Sequence, residues 1–415
     1  MQQFQAIVCG AGIAGVSTAR HLQMRGMKVA LIDVRDPGQE TSYGNAGIIE
    51  ASFVLPFGFP ATRRFKDILL DKDPSARVDL LFLPRVLKWL LHFYIQSNAE
   101  NRSKNGLLMR ALVQDSVMEH QTLMKGNEAE KYFTKTGRVK IHRSKASFDG
   151  DVFERDTLTK LGVPFEVLGP SDFAKIEPAI RPIFYKALKL SSSARVTDPG
   201  AVVANYAKAF VAGGGTFIQG DAGTLKQISN GNWQAAGAQA PQVVVAIGPW
   251  APALLKPLGY HFSIGLKRGY HQHFKSNAVM NHAIVDADIG YVMSGCTGRN
   301  VSRGIRITTG AEFAAQDAPP NPVQIERVLP HARELFPISE PSEEKAWLGS
   351  RPCTTDSLPI VGKAYKHDGL WLNIGHGHSG FTIGPSTGKL LAQIMTGEPT
   401  FTDAAPYRPE RFMHK

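Results

Sequence analysis

The 415-residue sequence predicts an α/β fold. A parallel, doubly wound type of sheet is reached in three separate stretches of chain and joined to an α+β unit with an antiparallel or mixed sheet. Three observations predict this. The chain opens on strand, glycine turn, helix and strand. Apolar strand-like runs return at 243–248 and 370–374. Two long insertions separate these pieces, the first mostly helical and the second made of alternating strands. The expected division assigns residues 1–56, 190–260 and 346–415 to the nucleotide-holding domain, and 57–189 and 261–345 to a second, substrate-holding domain.

The first element carries the most information. Residues 5–9 form an apolar run, followed by Gly10-x-Gly12-x-x-Gly15, a helical pattern from Val16 to Arg25, and a second run, Val29 to Ile32, ending at Asp33. In this Rossmann-like βαβ order Gly10 permits the tight turn and Gly12 lets the backbone approach a pyrophosphate. Gly15 lets the helix lie close on the strand, and Asp33 can accept hydrogen bonds from a ribose.

The remaining elements follow in order. Residues 57–135 read as short helices punctuated by proline and charge. Strands are expected at Arg138–His142 and Ala187–Leu190. Asp198-Pro199 opens a helix over Ala201–Val211, which Gly213-Gly214-Gly215 closes. A strand at Thr216–Gln219 and the run Val243 to Gly248 restore parallel character. Residues 260–345 alternate strand and turn, with strands at Tyr291–Met293 and Ile305–Thr308. The chain then reads as strand Leu370–Ile374, a glycine-rich loop Gly375–Gly380, and a helix Thr387–Met395 ended by Gly397. A dinucleotide domain interrupted in this way is more typical of flavoproteins than of nicotinamide dehydrogenases, whose two halves are contiguous.

Composition sets outer bounds. Cys9, Cys296 and Cys353 are too few and too widely spaced for a disulfide framework or a metal site, which suggests a reducing, cytoplasmic setting. The start of the chain, almost directly in a strand, shows no charged-then-apolar leader. Of the net charge of +11, residues 63–145 supply +8, from 17 Lys and Arg against 9 Asp and Glu. That stretch has none of the aromatic and basic alternation of a nucleic-acid groove, so no nucleic-acid partner is expected. Within it, Arg85, Lys88, His92 and Gln96 form one polar stripe on an otherwise apolar helical run. Residues 80–96 therefore read either as a buried helix between domains or as a peripheral contact with the inner face of the cytoplasmic membrane. No run reaches the length needed to span a bilayer.

Three blocks carry a family resemblance. They are Gly10–Gly15 with Asp33 and Glu40-Thr41-Ser42-Tyr43-Gly44-Asn45-Ala46-Gly47; Val243–Gly248 with Trp250; and Gly349-Ser350-Arg351-Pro352, Asp356, Pro359-Ile360-Val361-Gly362 and Leu372 through Gly388. With these, the chain resembles the glycine oxidase/D-amino-acid oxidase superfamily of FAD-dependent amine oxidoreductases, and within it the small-subunit type of bacterial D-amino-acid dehydrogenase. The resemblance implies non-covalent FAD held by Gly10, Gly12, Ile13, Ala14 and Gly15, and by Asp33, Val34 and Arg35. It adds the loop residues Thr41, Ser42, Asn45, Ala46 and Gly47, then Ala222, Ala246, Gly248 and Trp250. Arg351 and the run Gly377, His378, Ser379, Gly380, Phe381 and Thr382 complete the set. The helix after that run would direct its positive end toward the N1/C2 region of the flavin. Monomeric sarcosine oxidases carry their flavin thioether on a cysteine that would fall near Gly349; no cysteine is at that position, and Cys353 lies four residues on.

The resemblance also implies a substrate site. Arg351, in Gly-x-Arg-Pro, is the expected anchor for an α-carboxylate, because a planar guanidinium grips that group with two prongs. Tyr291 falls where a tyrosine bonds the same carboxylate, and His378 replaces a second arginine of glycine oxidase. Arg306 aligns with the lysine that monomeric sarcosine oxidases use for oxygen activation, which leans toward a dehydrogenase. His271 and His273 read as packed histidines or as pocket residues. The expected reaction is oxidation of a D-amino acid, such as D-proline, hydroxyproline or D-alanine, by hydride transfer to flavin N5. Electrons would leave to a quinone or another non-oxygen acceptor. The alternatives are a glycine/sarcosine-type oxidase making hydrogen peroxide and a non-catalytic FAD-holding subunit of a membrane-associated complex.

Overall fold

Two sheets meet along a long cavity in the computed structural model, which describes residues 2–51, 56, 58–60, 62–298 and 301–413, the side chains of 62, 63, 298 and 301–303 excepted. β1 (Ala6–Cys9), α1 (Ile13–Met24) and β2 (Val29–Asp33) open the chain. α2 (Leu83–Gln96), α3 (Ala99–Val113) and α4 (Ser116–Met124) lead to β3 (Arg138–His142), β4 (Glu166–Leu168) and β5 (Lys186–Leu190). The chain returns through α5 (Pro199–Ala212), β6 (Thr216–Gln219) and β7 (Gln242–Val245). It leaves again for β8 (Ile264–Lys275), β9 (Ala283–Asp286), β10 (Tyr291–Gly298), β11 (Val301–Phe313), α6 (Val323–Leu335) and β12 (Trp347–Thr354). It finishes in β13 (Ile360–Lys363), β14 (Leu370–Ile374) and α7 (Gly380–Thr396).

The nucleotide-type sheet has the order β6-β2-β1-β7-β14-β13, parallel except at β13. Its central strands are buried on both faces, which is why they read as unbroken apolar runs such as Val243-Val244-Val245. α1, α5 and α7 cover one face. A Cβ added to Gly384 would lie 2.8 Å from Ile13 Cγ1, and one on Gly388 2.8 Å from the Ser17 backbone, so two glycines set the close approach of α7 to α1.

The second sheet has the order β12-β8-β11-β10-β9-β3-β5-β4, with Ala76–Val78 added beside β11. It is antiparallel apart from β9/β3 and that added strand. Its register produces one continuous row, Lys140–Val285–Val292–Thr308–His271–Trp347, on the cavity side of the sheet, and all of these but His271 line the cavity. Five strand steps make that row roughly 24 Å long. The opposite face carries Tyr270, Tyr291 and Phe274 and packs on α6.

Two features depart from the division drawn from the sequence. β12, placed at 346–415 with the nucleotide half, pairs along its length with β8 in the second sheet. α3 and α4, placed in the second unit, bury Met109, Leu112, Val113, Leu123 and Met124 with Val16 and Leu390 of the nucleotide half. Helical periodicity shows that a helix has an apolar face, not which sheet or helix covers it.

α7 also begins at Gly380 rather than Thr387. Pro385 lacks the amide that would bond the Phe381 carbonyl, and His120 Nε2, on α4, donates to that carbonyl at 2.8 Å instead. The helix therefore runs through its proline.

Candidate active site

The cavity holds about 1100 Å³ and is walled by both sheets. At its nucleotide end Gly10 adopts φ +108°, a conformation that suits glycine alone. A Cβ at Gly12 would meet only Ser42 Oγ, at 3.4 Å, so the turn is open toward the cavity. The N-cap of α1 is Gly12, which has no side chain to cap the helix, and the first turn carries no acid, leaving its amides other than Ile13 N available to a negative group. Ser42 Oγ accepts from Ile13 N at 3.0 Å and pins the 41–47 loop over that helix end. Asp33 accepts from Ala11 N at 2.6 Å and from Arg35 N at 3.1 Å while lining the cavity. An elongated cavity with a glycine cradle and two helix ends free of acids fits an extended dinucleotide.

Every residue expected at the cofactor lines this cavity except Gly15 and Gly47. Both of these serve backbone packing. A Cβ on Gly15 would stand 1.8 Å from Gly10 O, and one on Gly47 2.2 Å from Val196 O. They shape the walls without forming them.

Toward the middle of the cavity the Thr41–Gly47 loop lies against the second sheet. Thr41 Oγ1 donates to Ser350 O at 3.1 Å, and Asn45 Oδ1 accepts from Gly47 N at 2.8 Å. Arg306 is buried and directs Nη1 to the carbonyls of Tyr43 and Asn45, at 3.0 and 2.5 Å. Its Nε donates to His273 Nε2 at 2.9 Å, and His273 Nδ1 pairs with Glu343. His271 stacks on Trp347 with ring centres 4.9 Å apart. His271, His273 and Arg306 thus buttress the loop from below, and none of them lines the cavity. The first turn of α7, also without a side-chain cap or an acid, closes this region through Gly377–Thr382.

The far end is the candidate substrate chamber. Arg351 lines it, lies over Gly269 and donates to Gly310 O at 2.7 Å. Among the described residues no carboxylate pairs with it, and burial pulls the affinity of its guanidinium for the proton down. Thr308 Oγ1, in the chamber floor, is buried without a hydrogen-bond partner. His378 lines the wall beside Cys353, with Nδ1 4.0 Å from Sγ. Burial, then the charges of Arg351 and Lys267, hold His378 well below the usual imidazole range, so it is neutral at neutral pH.

Tyr291 departs from expectation. It sits one residue from Val292, and alternation along β10 puts Val292 on the chamber face and Tyr291 on the α6 face. Its hydroxyl lies near Asp286 and Arg143, and burial pushes its pKa well up. It does not reach Arg351.

The chamber also contains an ion-pair network that the sequence reading missed. Arg138 pairs with Glu50 at 2.8 Å, and Lys140 with Asp151 at 2.7 Å and Glu154 at 2.5 Å. All five line the cavity. Arg138 and Lys140 alternate along the predicted strand at 138–142, a signal that placed both on one face. Glu50 follows the loop motif by three residues.

A family model described as FAD dependent oxidoreductase, DAO, matches residues 5–394. A protein named D-amino-acid oxidase from Bradyrhizobium diazoefficiens is 28% identical, over 98% of each chain. One named D-amino acid dehydrogenase from Methylobacterium nodulans is 27% identical, over 95% of each. Among solved structures, glycine oxidase from Geobacillus kaustophilus superposes with a TM-score of 0.72 at 19% identity, covering 98% of each chain. Iminodiacetate oxidase from Chelativorans sp. BNC1 gives 0.69 at 21% identity, covering 98% of this chain and 99% of that one.

Proposed function

Because the chain belongs to the DAO family of FAD-dependent oxidoreductases, we propose that it oxidises a D-amino acid to its imino acid, with Arg351 as carboxylate anchor and a non-oxygen electron acceptor. The observation that carries this reading is the state of Arg351. A guanidinium that faces the chamber with a backbone carbonyl as its partner, and no acid paired with it among the described residues, is prepared for an anionic ligand. The relatives named D-amino acid dehydrogenase and D-amino-acid oxidase support the substrate class.

Bound FAD supplies the two-electron acceptor. The protein's own work is positional. Gly12, the first turn of α1 and Ser42 would hold the diphosphate, and the Thr41–Gly47 loop and the α7 end would fix the ring system. Arg351 binds and orients the carboxylate, and Thr308 Oγ1 offers an unused donor and acceptor in the floor. Neutral His378 closes the wall without adding a third charge beside Arg351 and Lys267. Arg306 occupies the position read as an oxidase lysine, but its guanidinium is committed to loop carbonyls, which supports a slow reaction with oxygen.

The test is anaerobic mixing of the purified holoenzyme with D- and L-amino acids in turn. The expected result is flavin bleaching by one or more D-amino acids, with dyes or quinones turning over much faster than oxygen. Rapid stoichiometric peroxide would place the protein with the oxidases. Bleaching by L-amino acids alone would overturn the stereochemical assignment.

A second reading concerns the membrane. α2 buries Val86, Trp89, Leu90 and Phe93 against the second sheet. Leu80, Leu81, Leu87, Leu91, Tyr94 and Ile95 remain outside, Leu81 at 91% exposure, beside exposed Arg85 and Lys88. An apolar ridge flanked by cations fits an anionic lipid surface. No helix of the described residues is long and apolar enough to cross a membrane. Flotation with anionic vesicles, absent with neutral ones and lost in Leu81→Asp/Leu91→Asp, is the expected result. Equal flotation of wild type and variant would refute it.

A further inference from the structure

Lys267 does not line the main cavity, yet its placement is unusual. It stands on β8 directly opposite Arg351 on β12, so two cations are cross-strand neighbours on one face of the sheet. Like charges in that position repel, and burial removes the water that would screen them. Lys267 is 7% exposed, and no carboxylate pairs with it among the described residues. Its ammonium instead faces the rings of Phe93, Trp89 and Phe313, at 4.6, 5.2 and 5.8 Å from their centres. Two of those rings belong to α2, and Trp89 Nε1 donates to Cys353 O at 3.0 Å, which fastens the helix over the lysine. Between Lys267 and the His378 turn lies a second cavity of about 30 Å³, also lined by Cys353 and Ser379. That is room for about one water, too little for a hydration shell.

A fold that keeps two adjacent cations without an acid retains an uncompensated positive field. The His376–Ser379 turn is the common wall of both cavities, so the field is directed across it into the chamber. The charges that can compensate it are those that arrive or develop there: a substrate carboxylate, and the negative charge that reduction leaves on the bound ring system. We infer that Lys267 is a positioning cation for the reaction. It touches neither substrate nor cofactor, and it favours anion accumulation in the chamber by acting through the His378 turn. Its aromatic cage holds the charge at a fixed place and keeps counter-ions out. The inference rests on the proposed amino-acid oxidation. Part of its test, the flavin potential, is measured without substrate, and that part stands or falls independently of Arg351.

The experiment compares wild-type holoenzyme with Lys267→Met and Lys267→Arg, and with Lys267→Gln as a second neutral variant should the first not fold. Three quantities are read: the flavin midpoint potential, the Kd of benzoate as a carboxylate probe, and the Kd of FAD for the apoprotein. In the neutral variants the potential is expected to fall and the benzoate Kd to rise by about fivefold or more. Lys267→Arg restores both, while FAD affinity stays within about twofold throughout. An unchanged potential in a folded neutral variant would overturn the inference. So would loss of FAD affinity in the neutral variants and the arginine variant alike, which marks a packing role. A bromide ion located beside Lys267 in crystals would also overturn it, because the charge would then be cancelled in place.

Discussion

Replacing Arg351 by alanine removes the group on which the substrate assignment rests, and the structure bounds the effect. A guanidinium about 4 Å from a carboxylate, at an effective dielectric near 20, is worth about 4 kcal/mol. Lys267 stays in place on the neighbouring strand and attracts the carboxylate in wild type and variant alike, so it drops out of the comparison, whereas water admitted beside the truncated side chain recovers up to about half of the lost attraction. The net loss is therefore about 2–4 kcal/mol, a fall in kcat/KM of roughly 30- to 900-fold. Arg351→Lys keeps the charge and loses the two-pronged geometry, so a decrease near tenfold is expected. The assay is anaerobic dye reduction with the best D-amino acid, alongside benzoate binding and the flavin spectrum. The spectrum should be unchanged, since Arg351 lies at the substrate end of the cavity. An alanine variant within threefold of wild type in both kcat/KM and benzoate affinity would refute the anchor assignment.

Other consequences are testable on the same protein. Gly15→Val drives a side chain into Gly10 O, where even a Cβ would sit at 1.8 Å. Its expected cost of about 3 kcal/mol or more should appear as weakened FAD retention and a lowered urea midpoint, and wild-type values for both would contradict the packing role. His120→Leu strips Phe381 O and the Tyr206 hydroxyl of their shared partner, at a cost of about 1–3 kcal/mol in denaturant unfolding, against no change if Pro385 is tolerated without it. Burial lowers the pKa of His21 to about 3 and those of His120 and His376 to about 4. The unfolded chain, with imidazoles near 6.5, thus binds more protons between about pH 4 and 6.5, and stability should drop as pH falls through that window. Each imidazole contributes on the order of 3 kcal/mol by the lower end. Equal unfolding free energies at pH 7 and pH 5 would argue against it.

Local signals carried most of the nucleotide half. The glycine turn and the strands at 216–219 and 370–374 stand where backbone rules place them, and the residues that the resemblance assigns to the cofactor, Gly15 and Gly47 apart, line one cavity. What failed was longer in range or finer in phase. Tyr291 is misplaced by a single step of strand alternation, which resemblance to another chain cannot resolve when the register differs by one residue. The start of α7 was hidden because Pro385 reads as a breaker until His120, some 260 residues away in sequence, is seen to take up the freed carbonyl. The network of Glu50, Arg138, Lys140, Asp151 and Glu154 gathers five residues from three stretches of chain, and only the folded sheet brings them to one wall.

The strand order has a consequence for synthesis. β1 emerges first, yet it sits mid-sheet between β2 and β7, and β14 lies beyond β7. As the ribosome releases the chain, one edge of that first strand stays bare until more than 230 further residues have appeared. The sheet is then capped only when β13, β14 and α7 have followed. A nascent chain of this kind exposes an unpaired apolar edge for many seconds, a liability for aggregation and a reason for early chaperone engagement. Truncation near residue 370 would therefore be far more damaging than the loss of a similar length from a peripheral helix.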